Sequence, residues 1–310
     1  MLSLGIDLGG TKIEAALLDA TGAVAWRQRA DTPVGDYAGT VRRMAELVAA
    51  ARAARPGAAF TIGIGTPGTA TAAGLMKNCN STCLNGRPLQ ADLQAALGQR
   101  VALANDANCL ALSEATDGAG AGADVVFAVI LGTGCGGGIA VHGRVLGGAN
   151  GLAGEWGHNP LPQADAGEDP RWACYCGQVG CIETLLSGPG LARDHATRHG
   201  GALDAATIAP HAVQGDPACA DTLARHAGRL ARALAGVINL LDPDVIVLGG
   251  GLSLMPHLYE AVPRLWSRWV FSAGVDAPLR TALRPALHGD ASGVRGAAWL
   301  GRSPPGAPHC

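Results

Sequence analysis

The side chains best suited to chemistry lie between Gly154 and Glu183. That stretch opens as Gly154-Glu155-Trp156-Gly157-His158 and crosses a Pro-rich, acidic loop. It closes as Cys174-Tyr175-Cys176-Gly177-Gln178-Val179-Gly180-Cys181-Ile182-Glu183. Three thiols in a C-x-C-x4-C run, with one imidazole upstream, supply the four soft and borderline ligands of a closed tetrahedral zinc site. Gly177 and Gly180 let the chain fold back far enough for the sulfurs to converge. The plain alternative is three thiols in a glycine-rich loop, but closely spaced cysteines in a reduced protein point to metal. His158, Cys174, Cys176 and Cys181 leave no position for water, so the zinc is expected to be structural. It would hold the flanking carboxylates of Glu155 and Glu183 in a fixed relation.

A second chemistry is suggested by three glycine turns, each following an apolar run: Gly9-Gly10-Thr11, Gly132-Thr133-Gly134 and Gly249-Gly250-Gly251. Amides in such turns can converge on an anion, and glycine permits both the backbone angles and the close approach. Any one turn could be an ordinary hairpin. Three together, with Asp7 beside the first, favour a nucleoside triphosphate with Mg²⁺ near Asp7, and Lys12 is within reach of a phosphate oxygen. Gly132-Thr133-Gly134-Cys135-Gly136-Gly137 satisfies G-x-G-x-x-G, but that fingerprint must open a helix and Ile139–Val141 reads as a strand. No G-x-x-x-x-G-K-[ST] occurs, which excludes a P-loop. Asp106 falls where a strand gives way to a helix. It could cap that helix or act as a general base in phosphoryl transfer, and both readings stay open at this point.

The elements that must carry these groups alternate between strand and helix. Residues 2–29 read as three strands, and Asp36–Ala54 has helical spacing with Tyr37, Val41, Met44, Leu47 and Val48 on one side. Ala59–Gly65 and Val101–Ala104 read as strands, and Cys109–Ala115 as a helix. Gly118–Gly122 is small-residue punctuation at a domain boundary. Val125–Leu131 and Ile139–Val141 are strands on either side of the second glycine turn, so strand, glycine turn with threonine, and strand occur twice. This weak internal repeat predicts two related α/β halves facing a cleft. Ala218–Leu241 predicts a long helix, Asp244–Leu248 a strand, Met255–Val270 a helix, and Val294–Leu300 a last helix that packs back on the first half. The expected domains are residues 1–117, completed by the helix of 290–302, and residues 118–289, with a frayed tail at 303–310.

The chain has 310 residues, 48% of them hydrophobic, and a formal net charge of -2. That length implies two domains with ample core. The charge gives no general attraction for nucleic acid or an anionic membrane, and no apolar run approaches the roughly 20 residues of a membrane span. Nine cysteines, odd in number and scattered outside the cluster, argue against a disulfide framework and for the cytoplasm. Asn80-Ser81-Thr82 matches a glycosylation acceptor that a cytoplasmic chain would never present to that machinery.

Taken together, Asp7-x-Gly-Gly-Thr-Lys12, Asn105-Asp106-Ala107-Asn108, Gly132-Thr133-Gly134, Glu155-x-x-His158, Cys174-x-Cys176-Gly-x-x-Gly-Cys181-x-Glu183 and Gly249-Gly250-Gly251 resemble the ROK family of sugar kinases and repressors. The resemblance runs from about residue 3 to 300. It implies an actin-like, hexokinase-type pair of α/β domains that close on ATP and a hexose, with Asp106 as catalytic base. It also implies that Asn105, Asp106, Glu155, His158 and Glu183 hydrogen-bond sugar hydroxyls, His158 using its other ring nitrogen for zinc. Asn80 joins them from the loop Lys77–Pro88. That loop, Gly154–Pro162 and His288–Trp299 are similar to bacterial fructokinases that also accept mannose, although Cys83 stands where an aromatic is expected. The resemblance therefore implies ATP, Mg²⁺ and structural Zn²⁺, with fructose as acceptor and fructose 6-phosphate as product. Mannose, glucose or N-acetylglucosamine are the alternative acceptors, and a sugar-sensing regulator without turnover is the alternative class. Family repressors carry a helix-turn-helix ahead of the first phosphate strand, where this chain starts, so nucleic acid is not an expected partner. A homodimer is an assembly the resemblance leaves open.

Overall fold

The computed structural model describes residues 1–164, 167, 169–272 and 278–302. The tail expected at 303–310 lies outside the described residues. In chain order the strands are β1 (Leu2–Leu8), β2 (Lys12–Leu18) and β3 (Val24–Asp31), followed by helix α1 (Tyr37–Ala54) and strands β4 (Phe60–Thr66), β5 (Thr69–Ala70) and β6 (Met76–Lys77). Then come α2 (Leu89–Leu97), β7 (Val101–Asn105), α3 (Asp106–Asp117), β8 (Val125–Leu131), β9 (Cys135–Val141) and β10 (Arg144–Val145). After the cysteine segment follow α4 (Ile182–Leu186), α5 (Gly188–His199), α6 (Ala205–Val213), α7 (Pro217–Leu241), β11 (Val245–Gly249), α8 (Leu258–Trp266), β12 (Ala282–Pro285) and α9 (Ser292–Gly301). Among the described residues, no helix is long and apolar enough to cross a membrane.

The two large sheets share one plan. Their strand orders are β3-β2-β1-β4-β7 and β10-β9-β8-β11-β12, a meander followed by two strands added in parallel. This is the architectural form of the repeat that the glycine turns hint at. The chain divides into two compact units. One contains Met1–Gly122, Gly138–Gly154 and the segment beginning at Asp290; the other contains Ala123–Gly137 and Glu155–Gly289. Residues 138–154, expected with the second domain, thus group with the first. The cause is local: Gly138 lies flush on α3, where an added Cβ would come within 2.1 Å of the Ala107 carbonyl oxygen.

Strand alternation explains how the first unit is layered. On β1, Leu4, Ile6 and Leu8 point to a core shared with Ile62 and Ile64 of β4, Met44, Leu47 and Val48 of α1, and Leu89 and Leu93 of α2. The opposite face carries Gly5 and Gly63, and α9 sits directly on them. A Cβ at Gly5 would lie 1.9 Å from the Val294 carbonyl, and one at Gly63 1.9 Å from that of Ala297. Asp7 shares this second face, at the end of β1 where the glycine turn begins. The last helix therefore does pack on the first half, with glycines allowing backbone-to-backbone approach.

In the second unit β11 pairs in parallel with β8 and β12. Helix α7 buries Leu223, Leu230, Leu234 and Ile238 along one side. Its start is fixed by Asp216, whose side chain accepts from the Ala218 and Cys219 amides, and by Pro217 in the first turn. The helix expected over Met255–Val270 is shorter, because Pro256 holds Met255 in extended conformation (ψ 105°) and delays helix entry to Leu258.

Candidate active site

In the first unit, Asp7 faces Glu14 of β2 and Gly65 of β4 across the sheet. Removal from water, then the charges of Asp106 and Glu14, push its carboxyl up from 3.8 to about 7. Glu14 is held by Arg29 Nε at 2.7 Å and by Arg27. The adjoining turn is closed by the Gly9 amide donating to the Lys12 carbonyl at 3.0 Å. It is also pinned to the end of β3, where the Thr32 hydroxyl donates to the Gly9 carbonyl at 2.8 Å and the Thr32 amide to that of Thr11 at 3.0 Å. No atom lies within 4 Å of a Cβ placed on Gly10, so open space faces the turn, and the Lys12 side chain beside it is exposed. The Asp7 carboxylate would offer Mg²⁺ a hard oxygen ligand, directly or through water, while the turn beside it suits an anion.

The two roles open to Asp106 separate between neighbours. Asn105 is the cap of α3, its Oδ1 accepting from the Asn108 amide at 2.7 Å. Asp106 is the first helical residue, exposed, with the Ala107 amide donating to its Oδ1 at 2.8 Å. Asn105 thus has its carbonyl oxygen committed to the backbone. Beneath this pair the Cys109 thiol is buried and raised well above its ordinary value, by burial first and then by Asp7 and Asp106. Asn80 is exposed on a pocket of about 320 Å³, whose walls include Thr11, Thr32, Val34 and Cys83. The Thr32–Gly35 wall was missed in the sequence, since a Thr-Pro-Val-Gly segment reads only as a turn before α1.

In the second unit, Glu183 is the link between turn and metal cluster. Its Oε2 accepts from the Cys135 amide at 2.9 Å, directly after Gly132-Thr133-Gly134, while it follows Cys181 by two positions. A Cβ at Gly134 would meet that same oxygen at 2.8 Å. The turn closes through the Gly132 amide on the Gly134 carbonyl at 3.0 Å, and Gly132 also has open space at its Cα. Gly249 ends β11, and Gly250 adopts φ 81° with its Cα against the Leu131 carbonyl, where a Cβ would lie 2.4 Å away. Gly251 starts a short 3₁₀ turn over Gly251–Leu254 and faces open space.

Glu155 and His158 bracket a 3₁₀ turn over Trp156–His158. Trp156 Nε1 donates to the Gly136 carbonyl at 3.1 Å, and Gly157 packs on the Cys135 carbonyl. One ligand atom from each of His158, Cys174, Cys176 and Cys181 lies within 4.8 Å of the others. Cys176 Sγ and Cys181 Sγ are 3.6 Å apart, and Cys174 Sγ is 3.6 Å from His158 Nδ1. Zinc with sulfur at about 2.3 Å and nitrogen at about 2.05 Å requires tetrahedral edges of about 3.8 and 3.6 Å. The donors fit that ion in type, number and spacing. Burial pushes the Cys174 and Cys181 thiols up, Cys181 to about 12, whereas the Gln178 amide pulls Cys176 down. A divalent ion would offset the cost of holding these thiolates together.

Sequence reasoning also missed Tyr175 and Asp169. Tyr175 places its hydroxyl 3.1 Å from His158 Nε2. Asp169, in the loop between His158 and Cys174, is buried against Arg229 and Arg232 of α7.

The ROK family model matches residues 3–303. The chain is 41% identical over 303 residues to an N-acetyl-D-glucosamine kinase of Pectobacterium atrosepticum, covering 96% of this chain and 97% of that protein. Among solved structures it resembles a ROK hexokinase from Thermus thermophilus, with a TM-score of 0.82, 33% identity and 97% of each chain covered. It also resembles a ROK glucokinase from Streptomyces griseus in complex with glucose and AMPPNP. There the TM-score is 0.77 at 30% identity, covering 97% of this chain and 99% of the other. These likenesses support the hexokinase-type, actin-like α/β fold.

Proposed function

The chain belongs to the ROK family, and from that premise we propose that it is an ATP-dependent kinase of a free hexose or N-acetylhexosamine. The observation that carries this reading is the pair Asp7 and Asp106. One carboxyl is pushed up to about 7 beside a glycine turn open to an anion; the other opens a helix at the carboxyl end of a strand. Asp106 would accept the proton of the acceptor hydroxyl as it attacks the terminal phosphorus. The turns Gly9–Lys12, Gly132–Gly134 and Gly249–Gly251 would hold phosphate oxygens through amides other than those of Gly9 and Gly132, which close their own turns, with Lys12 adding a positive charge. Mg²⁺, held near Asp7 directly or through water, would offset charge on the phosphates. Asn80, Asn105, Glu155, His158 and Glu183 would orient sugar hydroxyls, and an acceptor lacking one would leave its partner without that hydrogen bond. Zinc on His158, Cys174, Cys176 and Cys181 would fix the loop that presents His158 and Glu183.

The acceptor best supported is N-acetyl-D-glucosamine, because a relative of that name is similar over nearly the whole of both chains. This displaces fructose, the acceptor expected from the sequence, to second place. Fructose keeps that place on one observation: Asn80, Ser81 and Thr82 line the first unit's pocket with groups suited to hydroxyls. Steady-state kinetics of the purified protein with ATP on N-acetylglucosamine, fructose, glucose and mannose is the test. N-acetylglucosamine should give the highest kcat/KM. A higher value for fructose reverses the order of acceptors, and no sugar-dependent ATP turnover with any of the four refutes the kinase reading.

A further inference from the structure

The ring of His158 is engaged on both sides. Nδ1 turns toward Cys174 Sγ at 3.6 Å, the metal side, and Nε2 meets the Tyr175 hydroxyl at 3.1 Å. The two rings stand edge to face, with centroids 5.2 Å apart and planes at 88°. When Nδ1 gives its lone pair to a metal, Nε2 carries the hydrogen and donates it to the phenol oxygen. The nitrogen that would serve a sugar hydroxyl therefore already has an acceptor from the protein itself.

Packing does not account for that acceptor. Tyr175 is 78% exposed, although it stands between Cys174 and Cys176, whose positions fix its backbone. An aromatic ring so exposed gains little from burial. Its hydroxyl and the edge of its ring both meet His158.

We propose that Tyr175 is a specificity-determining residue, its phenol oxygen occupying the place at His158 Nε2 that a sugar hydroxyl takes over on binding. This rests on the preceding reading of His158 as a sugar ligand. The exchange is selective by chemistry. A sugar bearing a hydroxyl oxygen at the matching ring position can accept the Nε2 hydrogen and displace the phenol. A sugar lacking that oxygen leaves Tyr175 in place and gains nothing from His158. For the first kind of sugar one neutral hydrogen bond replaces another, so the phenol weakens its binding by about two- to tenfold and narrows its advantage over the second kind.

The test is Tyr175→Phe, which keeps the ring and removes the oxygen. Binding of N-acetylglucosamine, glucose and fructose is measured by tryptophan fluorescence without ATP, on protein of equal zinc content. The ¹⁵N resonance of His158 Nε2 is followed in parallel. The expected result is a Kd about two- to tenfold tighter in the variant for the sugars that move the Nε2 resonance, with that resonance already shifted in the sugar-free variant. If sugar moves the resonance in both proteins while Kd is unchanged or weaker in the variant, Tyr175 does not compete, and the proposal fails with His158 still a sugar ligand. If no sugar moves the resonance in either protein, the reading of His158 fails and takes the proposal with it. Should Tyr175→Phe lose zinc, Tyr175→Leu under the same two readouts decides between these outcomes.

Discussion

Replacing Asp169 by asparagine should loosen the second unit and speed release of the zinc proposed for it. Asp169 is 4% exposed, accepting from Arg229 Nε at 2.7 Å and Arg232 Nη2 at 2.6 Å. Arg229 is equally buried and also reaches Asp194 at 3.0 Å, and Asp194 accepts from Arg225 at 2.9 Å. Arg225 in turn pairs with Asp221, so three arginines of α7 are balanced by three aspartates. Asparagine keeps the shape but leaves one positive charge in excess, and turns an amide NH₂ toward guanidinium donors. Removing one partner of a buried pair costs about 3–5 kcal/mol. The lower end applies, because Arg232 is 13% exposed and can turn to water, while Arg229 keeps Asp194. At about 2–4 °C per kcal/mol for a unit of this size, the melting temperature should fall by about 6–12 °C. Differential scanning calorimetry measures this, and a fall below about 2 °C would refute the reasoning. Because Asp169 lies on the loop between His158 and Cys174, chelator-driven zinc release should also accelerate. If the melting temperature falls but zinc release does not change, the network supports α7 alone and not the metal loop.

Three further outcomes follow from the site. Asp106→Asn should retain the fold and sugar-dependent quenching of tryptophan fluorescence, yet lose about 10²–10⁴-fold in turnover; a loss under about threefold would place the base elsewhere. Protein purified without added metal should carry about one zinc per chain by elemental analysis, and less than about a tenth of an equivalent with full activity would remove the metal. The raised carboxyl of Asp7 favours its protonated form in the folded state, so its stabilising contribution is complete below 3.8 and is lost as pH rises through about 7. Cation binding needs the ionised form. Mg²⁺ affinity measured by calorimetry should therefore drop up to about tenfold per pH unit below that point, and an affinity flat between pH 6 and 8 would count against Asp7 as the cation's partner.

Much of the fold was legible because period-2 and period-3.6 patterns coincide with real faces. On β1 the leucines and Ile6 alternate with Ser3, Gly5 and Asp7, and the structure shows why: one face meets α1, the other meets α9. The glycines at 5 and 63 do not read as a helix-docking face in the sequence, because their meaning depends on a helix some 230–290 positions away. Helices α4, α5 and α6 were not legible for a different reason. Helix α4 spans only five residues, α6 carries Pro210 in its interior, and α5 opens on Gly188-Pro189-Gly190, which reads as a turn although proline is favoured in a first turn. The strand β12 is a four-residue edge ending in Pro285, too brief for alternation to show.

The candidate site divides along the same line between local and distant information. Turns, caps and the C-x-C-x4-C run are local, so Gly9, Gly132, Gly249 and the metal cluster could be read directly. What ties them together is not local. The Cys135 amide holds Glu183 across 48 positions, and Thr32 fastens the first glycine turn from 23 positions away. Acceptor choice belongs to this second kind. In the proposed function the motif residues would serve what every sugar kinase substrate shares, namely phosphates and common hydroxyls. On the proposal made above, discrimination would rest on groups such as Tyr175, or the Thr32–Gly35 and Asn80–Leu84 walls, where swapping one hydroxyl partner changes the balance between sugars. A reading from motifs therefore reaches the reaction class readily and ranks fructose over N-acetylglucosamine on three short segments, whereas similarity along the whole chain favours the other order.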